Sequence, residues 1–170
     1  IITFPSMDLM QLCGAVKNRY DDATVMERPQ EILVDVIGLG SGVVDRLREQ
    51  NLPVRGVNVA EAPSTKKNYL NLRAELWFAV KDWLAQRDCR LPEDDELASE
   101  LASPQYKYTS SGKIKIESKD EMRKRGIKSP DKADALALTM ASSAASFSGS
   151  ESYFGYNFKK PLKSRIIRVG

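Results

Sequence analysis

Apolar residues recur at helical spacing over residues 6–20, where Leu9, Leu12, Cys13, Val16 and Tyr20 fall on one stripe, so a helix is predicted to open the chain. A polar turn at Asp21 and Asp22 leads to residues 31–37, Glu-Ile-Leu-Val-Asp-Val-Ile. This short β-branched run, bounded by glycine, reads as a buried strand. Gly38-Leu39-Gly40-Ser41-Gly42 then precedes a helix carrying Val43, Val44 and Leu47 to about Gln50, and residues 54–59 read as a second strand. Strand, helix and strand in that order predict adjacent parallel strands joined by a right-handed crossover. Beyond a turn near Pro63, the positions Tyr69, Leu72, Leu76, Val80, Trp83 and Leu84 mark one long amphipathic helix. Trp77 and Trp83 in that helix read as packing or groove-lining residues, not as base-stacking ones.

Residues 92–101 have the pattern of a short acidic helix. Tyr106-Lys107-Tyr108 and Lys113-Ile114-Lys115-Ile116-Glu117 alternate across Ser110-Ser111-Gly112, the pattern of a β-hairpin. A charged helix over residues 119–125 follows. Then Ser129-Pro130-Asp131-Lys132-Ala133-Asp134-Ala135-Leu136-Ala137-Leu138 opens an apolar helix that runs to about Ala145. Ser129 reads as its N-cap and Pro130 as its first helical residue, where the missing N–H is harmless. From Phe147 the composition changes to serine, glycine and aromatics, followed by Lys159, Lys160, Lys163, Arg165 and Arg168. Such a tail fits a docking peptide, a terminal strand or disorder. The predicted organisation is one domain over residues 1–146 and a basic, aromatic tail over residues 147–170, with no internal repeat.

Three carboxylates stand out against this pattern. Asp131 and Asp134 lie three residues apart on one face of a first helical turn. Alone, that is also the acidic first turn that complements a helix dipole in any globular protein. Asp35 is placed by the pattern inside an apolar strand, where a charge is costly unless it is paired or binds a metal. A strand-end Asp bonded to turn amides would serve there too. The glycine-rich turn that follows admits a dinucleotide-binding reading, with Glu61 near the expected acidic position. It reads G-x-G-x-G, however, where that fingerprint has G-x-G-x-x-G.

Composition narrows the chemistry. The 170 residues contain no histidine, which removes histidine bases, histidine-containing triads and histidine zinc sites together. The two cysteines, Cys13 and Cys89, are too few for a disulfide framework or a cysteine-only zinc site, and Cys13 reads as a small core residue. Carboxylates and lysines are left to carry any catalysis, and clustered carboxylates favour a hard cation such as Mg2+ or Mn2+. The net charge of +3 is mild, but residues 113–132 concentrate Lys113, Lys115, Lys119, Arg123, Lys124, Arg125, Lys128 and Lys132 against Glu117, Asp120, Glu121 and Asp131. A basic run leading into a carboxylate pair suits a polyanionic substrate such as DNA; it is also the pattern of a solvated helix face. No apolar run approaches the length of a membrane span and no secretory signal is visible at Ile1, so no membrane partner and a reducing, intracellular setting are expected.

Several segments together resemble the nuclease domain of tailed-phage large terminase subunits. They are Val34-Asp35-Val36-Ile37-Gly38-Leu39-Gly40-Ser41-Gly42-Val43-Val44-Asp45-Arg46-Leu47, Gly56-Val57-Asn58 and Asn71-Leu72-Arg73-Ala74-Glu75-Leu76-Trp77. Ile116-Glu117-Ser118-Lys119-Asp120-Glu121 and Ser129-Pro130-Asp131-Lys132-Ala133-Asp134-Ala135-Leu136 complete the set, in the family's order, across about residues 6–145. The resemblance implies an α/β, RNase H-like mixed sheet flanked by helices, related to RuvC resolvases. It implies a two-metal (Mg2+ or Mn2+) endonuclease that cuts concatemeric double-stranded viral DNA, encoded by a phage or prophage and acting in the bacterial host cytoplasm. The partners it implies are an ATPase motor domain, a small terminase subunit and a portal.

Carried over residue by residue, Asp35 matches the family's acidic residue on the fourth strand, and Asp131 and Asp134 match the acidic positions opening the last catalytic helix. These three are the expected catalytic and metal-binding residues. The two ions, roughly 4 Å apart, would activate a water and stabilise the leaving 3′ oxygen. Lys119 is an auxiliary candidate for neutralising charge on the phosphate, and Glu117 a further acidic one. Lys113, Lys115, Arg123, Lys124, Arg125 and Lys128 are the DNA-binding candidates. Gly38, Gly40 and Gly42 are assigned to a tight backbone path beside the strand end. In the family another acidic residue lies on the first strand of a three-stranded meander, and no Asp-bearing strand precedes Ser6 here. The expectation is therefore a fold lacking its first strands and a chain that alone is a poor nuclease. A non-catalytic module docking motor to portal is the other reading that this departure supports.

Overall fold

Asp8 starts the first helix through a capping box: its carboxylate accepts from the Gln11 N–H at 2.8 Å, and its own N–H donates to the Gln11 side chain at 3.1 Å. The computed structural model describes residues 2–4, 6–87, 89–145 and 167–169. These fall into two units, Ile1–Asn58 with Ala141–Gly170, and Val59–Met140. In the first unit, strand β1 (Ile2–Phe4) precedes helix α1 (Leu9–Asp22), followed by β2 (Ile32–Asp35), α2 (Gly40–Glu49) and β3 (Val54–Val57). The predicted parallel pairing holds, with Ile32 opposite Val54 and Asp35 opposite Val57. Leu12, Cys13 and Val16 of α1 pack with Val34 of β2, Val43, Val44 and Leu47 of α2, and Leu52. Cys13 is thus a fully buried packing residue, as its place on the stripe predicts. The sequence pattern opens the chain on a helix, but β1 comes first and pairs in parallel with β6 (Ile167–Val169). The strand option for the tail is therefore realised over those three residues, and the rest of the proposed tail lies outside the described residues. β1 carries no carboxylate.

The second unit contains α3 (Leu72–Ala85), α4 (Asp95–Ala102), the hairpin β4 (Tyr106–Tyr108) and β5 (Ile114–Ile116), α5 (Lys119–Lys124) and the start of α6 (Asp131–Ala145). The hairpin is antiparallel, with Lys107 opposite Lys115. Leu72, Leu76, Trp77 and Val80 of α3 are buried, as are Leu97, Ile116, Met122, Leu136, Ala137 and Met140. Asn71 caps α3 by accepting from the Ala74 N–H at 3.1 Å. The buried Glu75 accepts from the Ser64 and Thr65 N–H groups at 2.7 and 3.1 Å, which fastens the preceding loop onto α3. Tyr69 lies outside α3, contrary to the periodicity: its segment pairs with β5 as an isolated parallel bridge to Ile114. Asn71 is the stronger signal for the helix start, because its side chain satisfies an N–H that a longer helix would bond internally. Among the described residues no helix is long and apolar enough to cross a membrane.

The turn between β2 and α2 is set by backbone geometry. Gly38 has φ +74°, a conformation costly for side chains other than glycine. A Cβ at Gly40 would lie 1.7 Å from the Asp35 carbonyl oxygen, so α2 leaves directly against the end of β2. The chain's own packing accounts for this glycine without a nucleotide. Gly40→Ala is expected to lose about 2–3 kcal/mol, because a backbone clash has no rotamer to relieve it. Gly14→Ala, inside α1 with nothing within 4 Å of the added methyl, is expected to gain about 0.5–1 kcal/mol from helix propensity. Urea denaturation of both checks this; a Gly40→Ala protein as stable as its parent would contradict the close-packed turn.

Candidate active site

Asp35 is the last residue of β2 and is exposed, not buried within the strand. The strand is shorter than the apolar run because the chain turns into the glycine loop at Ile37, just after the Val36 N–H has bonded to the Val57 carbonyl at 3.1 Å. The cost of burying a charge therefore does not bear on Asp35. Its carboxylate accepts from the Ile37 N–H at 3.1 Å, closing an Asx turn at the carboxyl end of the parallel pair. That end of a parallel strand is where α/β folds present ligand-binding groups.

In the second unit, Asp131 and Asp134 sit in the first turn of α6. The helix begins at Asp131, one residue later than the cap pattern predicts, with the Asp134 N–H bonded to the Pro130 carbonyl at 2.7 Å. Ser129 does not act through a capping bond of its hydroxyl: that hydroxyl donates to Asp131 Oδ1 at 2.6 Å. Lys119, at the start of α5, places its ammonium 3.2 Å from Asp131 Oδ1 and 3.5 Å from Asp134 Oδ2, so both carboxylates share one cation. Asp134 is also held from the other side. Trp77 Nε1–H donates to its Oδ1 at 2.8 Å and Arg73 Nε–H to the same oxygen at 3.1 Å. Arg73 Nη1 reaches on to the Glu117 carbonyl at 2.7 Å, and the guanidinium carbon lies 5.8 Å from the centre of the Trp77 ring. Arg73 and Trp77 are residues that the sequence reading did not assign to the site. The signal available was their i, i+4 spacing on α3, which puts a cation and an indole N–H on one helix face.

Glu117 follows β5 and is buried, with its carboxylate bonded to the Arg125 guanidinium and to the Gln105 N–H, the latter at 3.1 Å. It holds the hairpin and the end of α5 together. The basic run is largely engaged within the protein. Lys115, with Lys107, pairs with Glu121, and Arg123 pairs with Asp120. Lys132 pairs with Asp94 and Glu96 of the α4 start. The Lys132 hydrogen bond draws Asp94 below its ordinary range, and Asp94 in return raises Lys132. Among the described residues, Lys113, Lys124 and Lys128 have no ion pair, and Lys124 and Lys128 are exposed.

No group of three or more His, Cys, Asp or Glu side chains gathers to hold a metal among the described residues. The Asp131–Asp134 pair nevertheless suits one hard cation. Its oxygens already converge on an ammonium, and Mg2+-like ions take one or two carboxylates with water and phosphate completing the set.

The α/β chain, with parallel and antiparallel strand pairs and helices, has a fold similar to that of terminase nuclease domains. Among solved structures, the chain is similar to the nuclease domain of the large terminase subunit gp2 of bacterial virus Sf6. A lysine-to-alanine variant of that domain with manganese and β-thujaplicinol matches at 22% identity and TM-score 0.63, covering 80% of this chain and 74% of that one. The same domain without the substitution matches at 23% identity and TM-score 0.61, covering 79% and 73%. A variant with calcium gives 22% identity and TM-score 0.61, covering 79% and 73%. No protein-family model matches the chain. No curated protein matches it either.

The placement of Lys119 depends on α5, whose capping box joins Ser118 and Glu121. Hydrogen bonds from the Ser118 backbone, then from Lys107 and the Ser118 hydroxyl, hold the Glu121 carboxyl well below the usual carboxylate range. A carboxylate depressed in the folded state stabilises fully above its unfolded pKa, and that stability is lost as the pH falls toward the folded value. Glu121→Gln should therefore lower the thermal midpoint at about pH 7, with the gap to the parent narrowing below about pH 4, where the unfolded carboxyl gains its proton. Thermal melts followed by circular dichroism across that range check this. A gap that stays constant would contradict the assignment.

Proposed function

We propose that this chain is a metal-dependent DNA endonuclease domain of a viral DNA-packaging terminase. The observation that carries this reading is the carboxylate pair Asp131 and Asp134 closed on the Lys119 ammonium, in a fold similar to nuclease domains solved with manganese and with calcium. Asp35, Asp131 and Asp134 supply the acidic side chains, and the cofactor is Mg2+ or Mn2+. When bound, two such ions would activate a water and stabilise the leaving 3′ oxygen of a phosphodiester.

The chain's own groups do the remainder. Asp131 and Asp134 hold positive charge at the start of α6. Lys119 presents an ammonium to charge that develops on a phosphate. Lys124 and Lys128, exposed and without an ion pair among the described residues, are the strongest contributors to backbone contact, followed by Lys113. Lys115, Arg123 and Arg125 reach DNA only by exchanging an internal carboxylate for a phosphate. For the exposed Arg123–Asp120 pair this is a modest requirement. Double-stranded DNA is the substrate. The ATPase motor domain, small terminase subunit and portal are the partners that this role brings with it, in the cytoplasm of a bacterial host.

Plasmid nicking at protein excess tests the proposal. Cleavage should need Mn2+ or Mg2+ and stop with a chelator. Asp131→Asn and Asp35→Asn should each slow it at least about a hundredfold, the scale on which a preorganised charge-stabilising group acts. Cleavage that survives chelation, or an Asp131→Asn protein that cuts as fast as its parent, would overturn the proposal.

A further inference from the structure

Asp131 and Asp134 look equivalent in the sequence but have different surroundings. Asp134 Oδ1 takes both the Trp77 indole N–H, at 2.8 Å, and the Arg73 Nε–H, at 3.1 Å, while Arg73 Nη2 lies 3.5 Å from Oδ2. Those donors come from one face of α3, and the Arg73–Asp134 pair is largely shielded, with side chains 15% and 21% exposed. Asp131 Oδ1 instead takes the Ser129 hydroxyl, at 2.6 Å, and the Lys119 ammonium, at 3.2 Å; that mobile ammonium also reaches Asp134 Oδ2, but less closely, at 3.5 Å. A fork of fixed N–H donors holds a carboxylate in one orientation, whereas a lysine tip and a hydroxyl are readily exchanged for another cation.

We propose that the pair divides its roles: Asp131 faces the cation, and Asp134 is a positioning residue locked by Arg73 and Trp77. Arg73 extends the lock to the Glu117 carbonyl, two residues before Lys119, so a single guanidinium sets the start of α6 against the start of α5. The distance between Lys119 and Asp131 follows from that arrangement. This division rests on the metal-dependent reading given above.

A ligand needs its negative charge; an anchor needs only an acceptor oxygen. Asparagine separates the two, because it keeps the oxygen that Trp77 and Arg73 use and removes the charge. Mn2+ affinity of the full chain, measured from the loss of the free-ion EPR signal, should fall at least tenfold in Asp131→Asn and stay within threefold in Asp134→Asn. Asp134→Ala, which removes the anchor, should also fall at least tenfold. Trp77→Phe keeps an aromatic ring and removes the indole donor, and should weaken Mn2+ about threefold with the fold intact by circular dichroism; it serves where Asp134→Ala does not fold. A parent that binds Mn2+ while Asp134→Asn is as impaired as Asp131→Asn would overturn the division alone. A parent that binds no Mn2+ would overturn the metal reading and the division with it.

Discussion

The Arg73 guanidinium organises the second unit. From α3 it grips the Asp134 carboxylate near the start of α6 and the Glu117 carbonyl at the junction of β5 and α5. Three separately encoded segments, as far as 61 residues apart, thereby meet at one planar group. A lysine could make one of these contacts but not hold them in a fixed relation, because its charge is a point on a flexible stem. The Trp77 indole completes the arrangement by donating to the same carboxylate oxygen from one turn further along α3. Around this link the ordinary devices of helix starts fall into place: Asn71 for α3, Asp94 for α4 and the Ser118–Glu121 box for α5. The Glu100 carboxylate accepts the Ala133 N–H at 2.9 Å, satisfying one of the free amides of α6 from α4.

In the first unit a comparable constraint acts through backbone alone. The absence of a side chain at Gly40 lets α2 begin against the Asp35 carbonyl, and Gly38 supplies the reversed φ that the turn needs. Asp35 is left at the carboxyl end of β2 with its carboxylate oriented by the Ile37 amide. The same glycines admit a phosphate-binding reading from sequence. The contacts of Gly40 provide a steric reason for them that operates without any ligand.

Hydrophobic periodicity made most elements legible, because burial against a core leaves a repeat of two or near four in the chain. The parallel β2–β3 pair, the hairpin and helices α1, α2, α3 and α6 are visible that way, whereas α4 and α5 are legible from their charge. What periodicity does not encode is which polar group a side chain meets. Ser129 has the composition of a cap, yet its hydroxyl bonds to Asp131, two residues on. Tyr69 continues the apolar stripe of α3, yet the Asn71 cap starts the helix only after it. Glu117 alternates as a strand residue would, and only the fold shows that Arg125 covers it. The basic run reads as one patch because a sequence counts charges. The structure shows Lys115, Arg123 and Lys132 matched to carboxylates, leaving Lys124 and Lys128 outward. The catalytic candidates were legible through resemblance. Arg73 and Trp77 escaped because two helices and a hairpin separate them from Asp134 in the chain.

The central claim is that the start of α6 is a metal centre whose place is held by Lys119. Crystals grown with manganese and measured at its absorption edge test that claim most directly. An anomalous peak should lie at coordination distance from the Asp131 carboxylate, roughly 2.1 Å for a small octahedral cation, with the Lys119 ammonium moved off that oxygen. Manganese bound elsewhere, with Asp131 and Asp134 still closed on Lys119 at saturating metal, would contradict it.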